Sequence, residues 1–139
     1  MTRLADDLAL IPLFSGLNKR QLRKLAGGFK ELGFAPDRAV VREGHADGVG
    51  FFVIAEGEAE VLVHGNSVDT LKSGEYFGEI ALIDDGARTA TVRAKTPLRA
   101  YGLTAWDFRA FVESNASVSW KLLVAMAKLF RQSQRQSTA

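Results

Sequence analysis

The sequence predicts a mainly β domain with helices at both ends, its middle closed as a sandwich or barrel. Between residues 29 and 103, apolar residues recur with a period of two, in short runs separated by Gly and Asp turns. Before and after that stretch the period changes to three and four, the mark of helices with one buried face. The 139 residues, 47% of them hydrophobic, suffice for one domain with its own core.

The first helix opens at Asn18, whose side chain can pair with Gln21 in a capping box. Leu17 and Leu22 stand where a hydrophobic staple needs them. Leu22, Leu25, Ala26 and Phe29 follow at helical spacing and form the buried face. Gly27 and Gly28 weaken and end the helix. Short strands are expected at 29–34, 39–42, 50–55, 58–64, 67–71, 87–94 and 98–103. Glu58, Glu60 and Leu62 alternate with Ala59, Val61 and Val63, as in a strand with one more exposed face. Gly65 and Asn66 form the two-residue turn of a hairpin. Thr104 caps the next helix, 106–112, with Asp107 in its first turn. Ser114 and Asn115 break it, and a longer helix spans 116–134 before a polar tail. The expected organisation is one domain over 1–139: a helical segment 1–28, a β body 29–103 and helices 104–135.

There are no cysteines, which excludes a disulfide framework and a cysteine-ligated metal and fits a reducing compartment; the cytoplasm is expected. The net charge is only +2 and no dense Lys/Arg cluster occurs, so nucleic acid is not an expected partner. The apolar run 8–14 is broken by Pro12 and preceded by Asp6 and Asp7, unlike a signal peptide. No window has the ~18 apolar residues of a membrane span. His45 and His64 are the only histidines and sit apart in the sequence, so no metal is expected. Asp84 and Asp85 are adjacent on a turn and point apart, which argues against a catalytic pair. Ser15, Ser67 and Ser73 lie near no histidine in any recognisable order, and no nucleophile elbow, P-loop or zinc signature occurs. Enzymatic activity is not expected.

The stretch FGEIALIDDGARTATV, residues 77–92, carries the chemistry. Glu79-Ile80-Ala81-Leu82 forms one turn of helix after Gly78, and a helix start presents N–H groups to an anion. Gly78 lacks a Cβ, so a ligand can approach the backbone. Asp84-Asp85-Gly86 reverses the chain and Arg88 returns toward the same point. A guanidinium can grip two phosphate oxygens, and Glu79, an acceptor only, suits a sugar hydroxyl. The residues alone equally allow a structural pair of Glu79 with Arg88 and glycines that serve the turns.

In the last helix, Val118, Leu122, Ala125, Met126 and Leu129 form one apolar stripe, and Trp120, Leu123, Val124, Ala127 and Phe130 are apolar as well. Lys121, Lys128 and Arg135 recur every seven residues and mark a narrow wet face. That is more apolar surface than one stripe against one barrel needs. The surplus is either buried by the domain or meets a ligand or partner.

The window resembles the phosphate-binding cassette of cyclic nucleotide-binding domains: Phe77, Gly78, Glu79, Ile80, Ala81, Leu82, then Arg88, Thr89, Ala90, Thr91. LIPLFSGLNKRQLRKLA is similar to that family's N-terminal helical motif, and FFVIAEGEAEVLV to its central strands. The resemblance implies an eight-stranded β-roll, a jelly-roll-like double-stranded β-helix, with an N-terminal helix and two C-terminal helices. It implies that Glu79 accepts from the ribose 2′-hydroxyl and that Arg88 pairs with the cyclic phosphate. The N–H groups of Ile80 and Ala81 would cap that phosphate, Thr89 would add a hydroxyl, and Ala90 completes the ligand-binding set. The last helix would close over the base, with Leu122, Leu123 and Met126 as lid candidates. Ala87 stands where the family usually has Pro, which implies a looser empty cassette. The implied function is a sensor of cAMP or cGMP, with no metal, and with a protein partner or a second copy at the last helix. The alternatives are the ligand-binding part of a longer transcription factor, ion channel or kinase regulator, and a degenerate domain that binds a partner protein. With only a short tail after the last helix, DNA readout has no expected home in this chain.

Overall fold

Phe51 and Phe52 are neighbours in sequence and lie in different cores, and the molecule is organised around that division. The computed structural model describes residues 2–45, 50–84 and 86–137. Among them are eight strands: β1 (Lys30–Phe34), β2 (Ala39–Val41), β3 (Phe51–Glu56), β4 (Ala59–Val63), β5 (Asn66–Leu71), β6 (Tyr76–Phe77), β7 (Thr91–Ala94) and β8 (Leu98–Leu103). They form two antiparallel sheets, ordered β1-β8-β3-β6 and β2-β7-β4-β5. The helices are α1 (Thr2–Ala9), α2 (Lys19–Ala26), α3 (Glu79–Ile83), α4 (Ala105–Ser114) and α5 (Ala116–Ser137), with a 3-10 turn at Pro12–Phe14. No described helix is long and apolar enough to cross a membrane.

The first four residues of β3 are all buried, because both faces of its sheet are covered. Phe52 and Ile54 join Val41, Ala59, Leu71, Phe77 and Val92 between the sheets. Phe51 and Val53 join Leu8, Phe14, Phe108 and Leu122 under the helices. Phe51 stacks on Phe108 at 4.9 Å and Phe52 on Phe77 at 5.1 Å, contacts that add to the burial of the rings.

Local chemistry sets the helix starts. Asn18 Oδ1 accepts from the Gln21 N–H at 2.8 Å, and Gln21 Oε1 accepts from the Asn18 N–H at 2.9 Å, the capping box that the sequence predicts. Thr104 Oγ1 accepts from the Asp107 N–H at 3.1 Å and starts α4. Leu22 and Leu25 are buried as their spacing requires.

Several details differ from the sequence reading. The strand expected over 87–94 begins only at Thr91, so Arg88 precedes it. α1 and β6 are additional elements. Leu4, Ala5 and Leu8 of α1 find their meaning only in the core that they enter. β6 is two residues long, too short to show a period. The hairpin turn is His64-Gly65, since Val63 pairs with Asn66; both turn residues have positive φ, 52° and 80°, as a type I′ turn demands. Lys121 is half-buried and not free in solvent: its Nζ donates to Ser15 Oγ at 2.6 Å and to the Pro12 carbonyl at 3.2 Å, and so ties α5 to the 3-10 turn.

Candidate functional site

β6 ends at Phe77 and the chain must turn at once. Gly78 makes the turn with a left-handed φ of 99°. A Cβ at this position would stand 2.7 Å from the Gly50 carbonyl oxygen and 3.1 Å from Arg88 Nη1. Only glycine lets these groups come so close. α3 starts on the next residue, Glu79. It ends at Asp84, whose N–H donates to the Ile80 carbonyl at 3.1 Å and whose Oδ1 accepts from the Gly86 N–H at 3.0 Å. Asp84 thus serves the reversal of the chain. Asp85 lies outside the described residues.

Arg88 sits on the loop before β7 and is 4% exposed. Its Nη1 donates to the Gly78 carbonyl at 3.0 Å and its Nη2 to the Gly50 carbonyl at 3.1 Å. The main chain of Arg88 is fixed too. Its N–H donates to the His45 carbonyl at 3.0 Å, and its carbonyl accepts from the Gly44 N–H at 2.9 Å. A buried cation needs compensation, and the two carbonyl oxygens supply part of it. Glu79 lies close enough to feel the Arg88 charge. Burial raises its pKa above the ordinary carboxylate range, while its own N–H, that of Ile80 and the charge of Arg88 pull it back down.

Gly78, Glu79, Ile80 and Arg88 are therefore one cluster, with Ala81 on the same first turn of α3. Thr89 is exposed and Ala90 half-buried on the segment that leads into β7. The lid candidates are placed differently from one another. Leu122 is 3% exposed and belongs to the core under the helices, Leu123 is 58% exposed, and Met126 is half-buried. α5 packs on α4 and on the 3-10 turn, and its outer face leaves Trp120, Leu123, Val124 and Phe130 in solvent.

The sequence reading missed Gly50, which receives the second bond from Arg88, and the 43–45 segment, which holds the arginine main chain. Both contacts join residues about forty positions apart, and no period reports that. The one available sign was a glycine directly before the apolar run of β3; its φ is 99°.

Chemically, the cluster offers a guanidinium, a carboxylate beside it and a helix start. That set suits a ligand with an anion and a hydroxyl close together.

A family model described as a cyclic nucleotide-binding domain matches residues 31–115. A cAMP-dependent protein kinase regulatory subunit of Yarrowia lipolytica is 45% identical over 91 residues, which is 64% of this chain and 24% of the relative. The human potassium/sodium hyperpolarization-activated cyclic nucleotide-gated channel 2 is 36% identical over 106 residues, 76% of this chain and 12% of the channel. The chain thus spans a quarter or less of these curated relatives. Among solved structures, PKAR CBD2 bound to Sp-2Cl-cAMPS has a TM-score of 0.81 at 21% identity, covering 94% of this chain and 89% of that one. The catabolite activator protein of Thermus thermophilus has a TM-score of 0.80 at 23% identity, covering 90% and 61%. These two likenesses establish the fold.

Proposed function

The chain belongs to the cyclic nucleotide-binding domain family, and on that premise we propose that it senses cAMP or cGMP at residues 77–92 and has no catalytic activity of its own. The observation that carries this reading is the buried guanidinium of Arg88, held between the Gly50 and Gly78 carbonyls with the Glu79 charge beside it. In this reading the cyclic phosphate takes the guanidinium over from the carbonyls. The carbonyl bonds are charge-assisted on the donor side only; a phosphate adds the opposite charge and a two-oxygen fit, so the exchange favours the phosphate. Glu79 accepts from the ribose 2′-hydroxyl, and Gly78 lets the Arg88 guanidinium come close beside it. The N–H groups of Ile80 and Ala81 face the phosphate, with Thr89 and Ala90 at its edge. No metal takes part.

Signalling follows as a shift between two arrangements. Binding tightens the loop around Arg88, moves α3, and repacks α4 and α5 behind it. α3 packs against α4, and α4 against α5, so a displacement has a path. The exposed apolar face of α5 is the surface at which a protein partner or a second copy would receive the signal.

Calorimetric titration with cAMP and cGMP, and with 5′-AMP as the acyclic control, tests the proposal. Micromolar or tighter binding of a cyclic nucleotide, with 5′-AMP weaker, is expected. No binding of either cyclic nucleotide to the folded chain would overturn it.

A further inference from the structure

Arg88 projects from a main chain that is held by two backbone hydrogen bonds. Its N–H and carbonyl both pair with the 44–45 backbone, at 3.0 and 2.9 Å. One residue before that pair, the Glu43 N–H donates to Thr91 Oγ1 at 2.9 Å, and Thr91 lies only three positions after Arg88. The segments 43–45 and 88–91 are thus locked together at both ends. The Glu43 side chain anchors the lock to a third element, the β4–β5 hairpin tip. Its Oε1 accepts from the His64 N–H at 2.8 Å, and its Oε2 lies 3.3 Å from His64 Nδ1.

We propose that Thr91 and Glu43 are positioning residues for the anion grip of Arg88. The inference rests on the cyclic-nucleotide reading of the cassette. The Thr91 hydroxyl is committed to the Glu43 N–H, which assigns it to the support of the site. A two-oxygen grip needs its guanidinium placed to about 0.5 Å, and that placement depends on where the Arg88 Cα is held. Removing the Thr91 acceptor leaves the Glu43 N–H without its partner and frees the 43–45 segment to drift, and Arg88 drifts with it. Removing the Glu43 carboxylate cuts the segment off from the hairpin tip.

The test is calorimetric titration of cAMP into the wild type, Thr91→Val, Thr91→Ser and Glu43→Ala, and into Thr91→Val within an Arg88→Ala background. Thr91→Val keeps the shape and loses the acceptor, and the expected loss of affinity is about threefold to tenfold, the equivalent of one neutral hydrogen bond. Thr91→Ser restores the hydroxyl and is expected to bind within about twofold of wild type. A general loss of stability would lower affinity whether or not Arg88 is present. A positioning role requires that the cost of Thr91→Val largely vanish once Arg88 is gone. Glu43→Ala should fall in the same direction and carries the test if Thr91→Val does not fold. Wild-type affinity in both Thr91→Val and Glu43→Ala, or an equal cost with and without Arg88, overturns the proposal and leaves the cassette reading intact. No binding of cAMP by the wild type overturns both.

Discussion

Gly78 decides where Arg88 can sit. Any side chain there would press on the Gly50 carbonyl and on the guanidinium, at a φ that other residues rarely adopt. Gly78→Ala is therefore expected to cost both stability and affinity, seen as a lower melting temperature and a weaker titration. Glu79 makes a sharper prediction. Burial raises its pKa, so in the empty protein the charged form costs stability, a cost that is absent at low pH and appears as pH rises through the raised value. Glu79→Gln removes the charge and should raise the melting temperature of the empty protein near neutral pH. The same variant should bind cAMP more weakly, because ribose hydroxyls need an acceptor that stays ionised. In the wild type, affinity should hold at neutral pH and decline as pH falls through the Glu79 pKa, sooner than an ordinary carboxylate would allow; the Gln variant should lack this pH-dependent component. At this scale the sequence was informative, since Gly78, Glu79 and Arg88 stand in one short window. Gly50 and the 43–45 segment were not visible, because the partners of a buried guanidinium come from wherever the chain happens to pass.

Elements that announce themselves through capping or period were legible. Asn18 with Gln21 and Thr104 with Asp107 mark α2 and α4 through the groups that a helix start leaves unpaired. Elements made by their surroundings were not. α1 has eight residues, β6 has two, and the hairpin turn shifted by one residue to satisfy two left-handed positions. α5 was half legible. Its two apolar faces are plain in the sequence, but the spacing does not say which face is inside. The structure puts Val118 and Leu122 in the core and leaves Trp120 and Leu123 outside. Leu122→Ala should therefore act first on stability, by about 2–5 kcal/mol as for other buried leucines, measured by denaturant unfolding. Leu123→Ala, on the outer face, should leave unfolding nearly unchanged.

For the molecule as a whole, the proposed signal would run through the core under the helices, which both the cassette and α5 touch. The ends of the cassette, Phe77 and Val92, enter the core between the sheets, while its Leu82 packs against the core under the helices, which joins the central strand to α4 and α5. A ligand shifts such a system only by its different affinity for the two arrangements. Amide hydrogen exchange with and without saturating cAMP should therefore change in α5 as well as in residues 77–92. A change confined to the cassette would remove the proposed signalling step and leave binding untouched. The central claim, that a cyclic phosphate is held by Arg88, is tested most directly by titrating cAMP into the wild type and Arg88→Ala side by side. A charged hydrogen bond contributes roughly 1.5–3 kcal/mol, so the variant should lose about tenfold to over a hundredfold in affinity while keeping the wild-type circular dichroism spectrum. An Arg88→Ala variant that binds cAMP as tightly as the wild type would contradict the account.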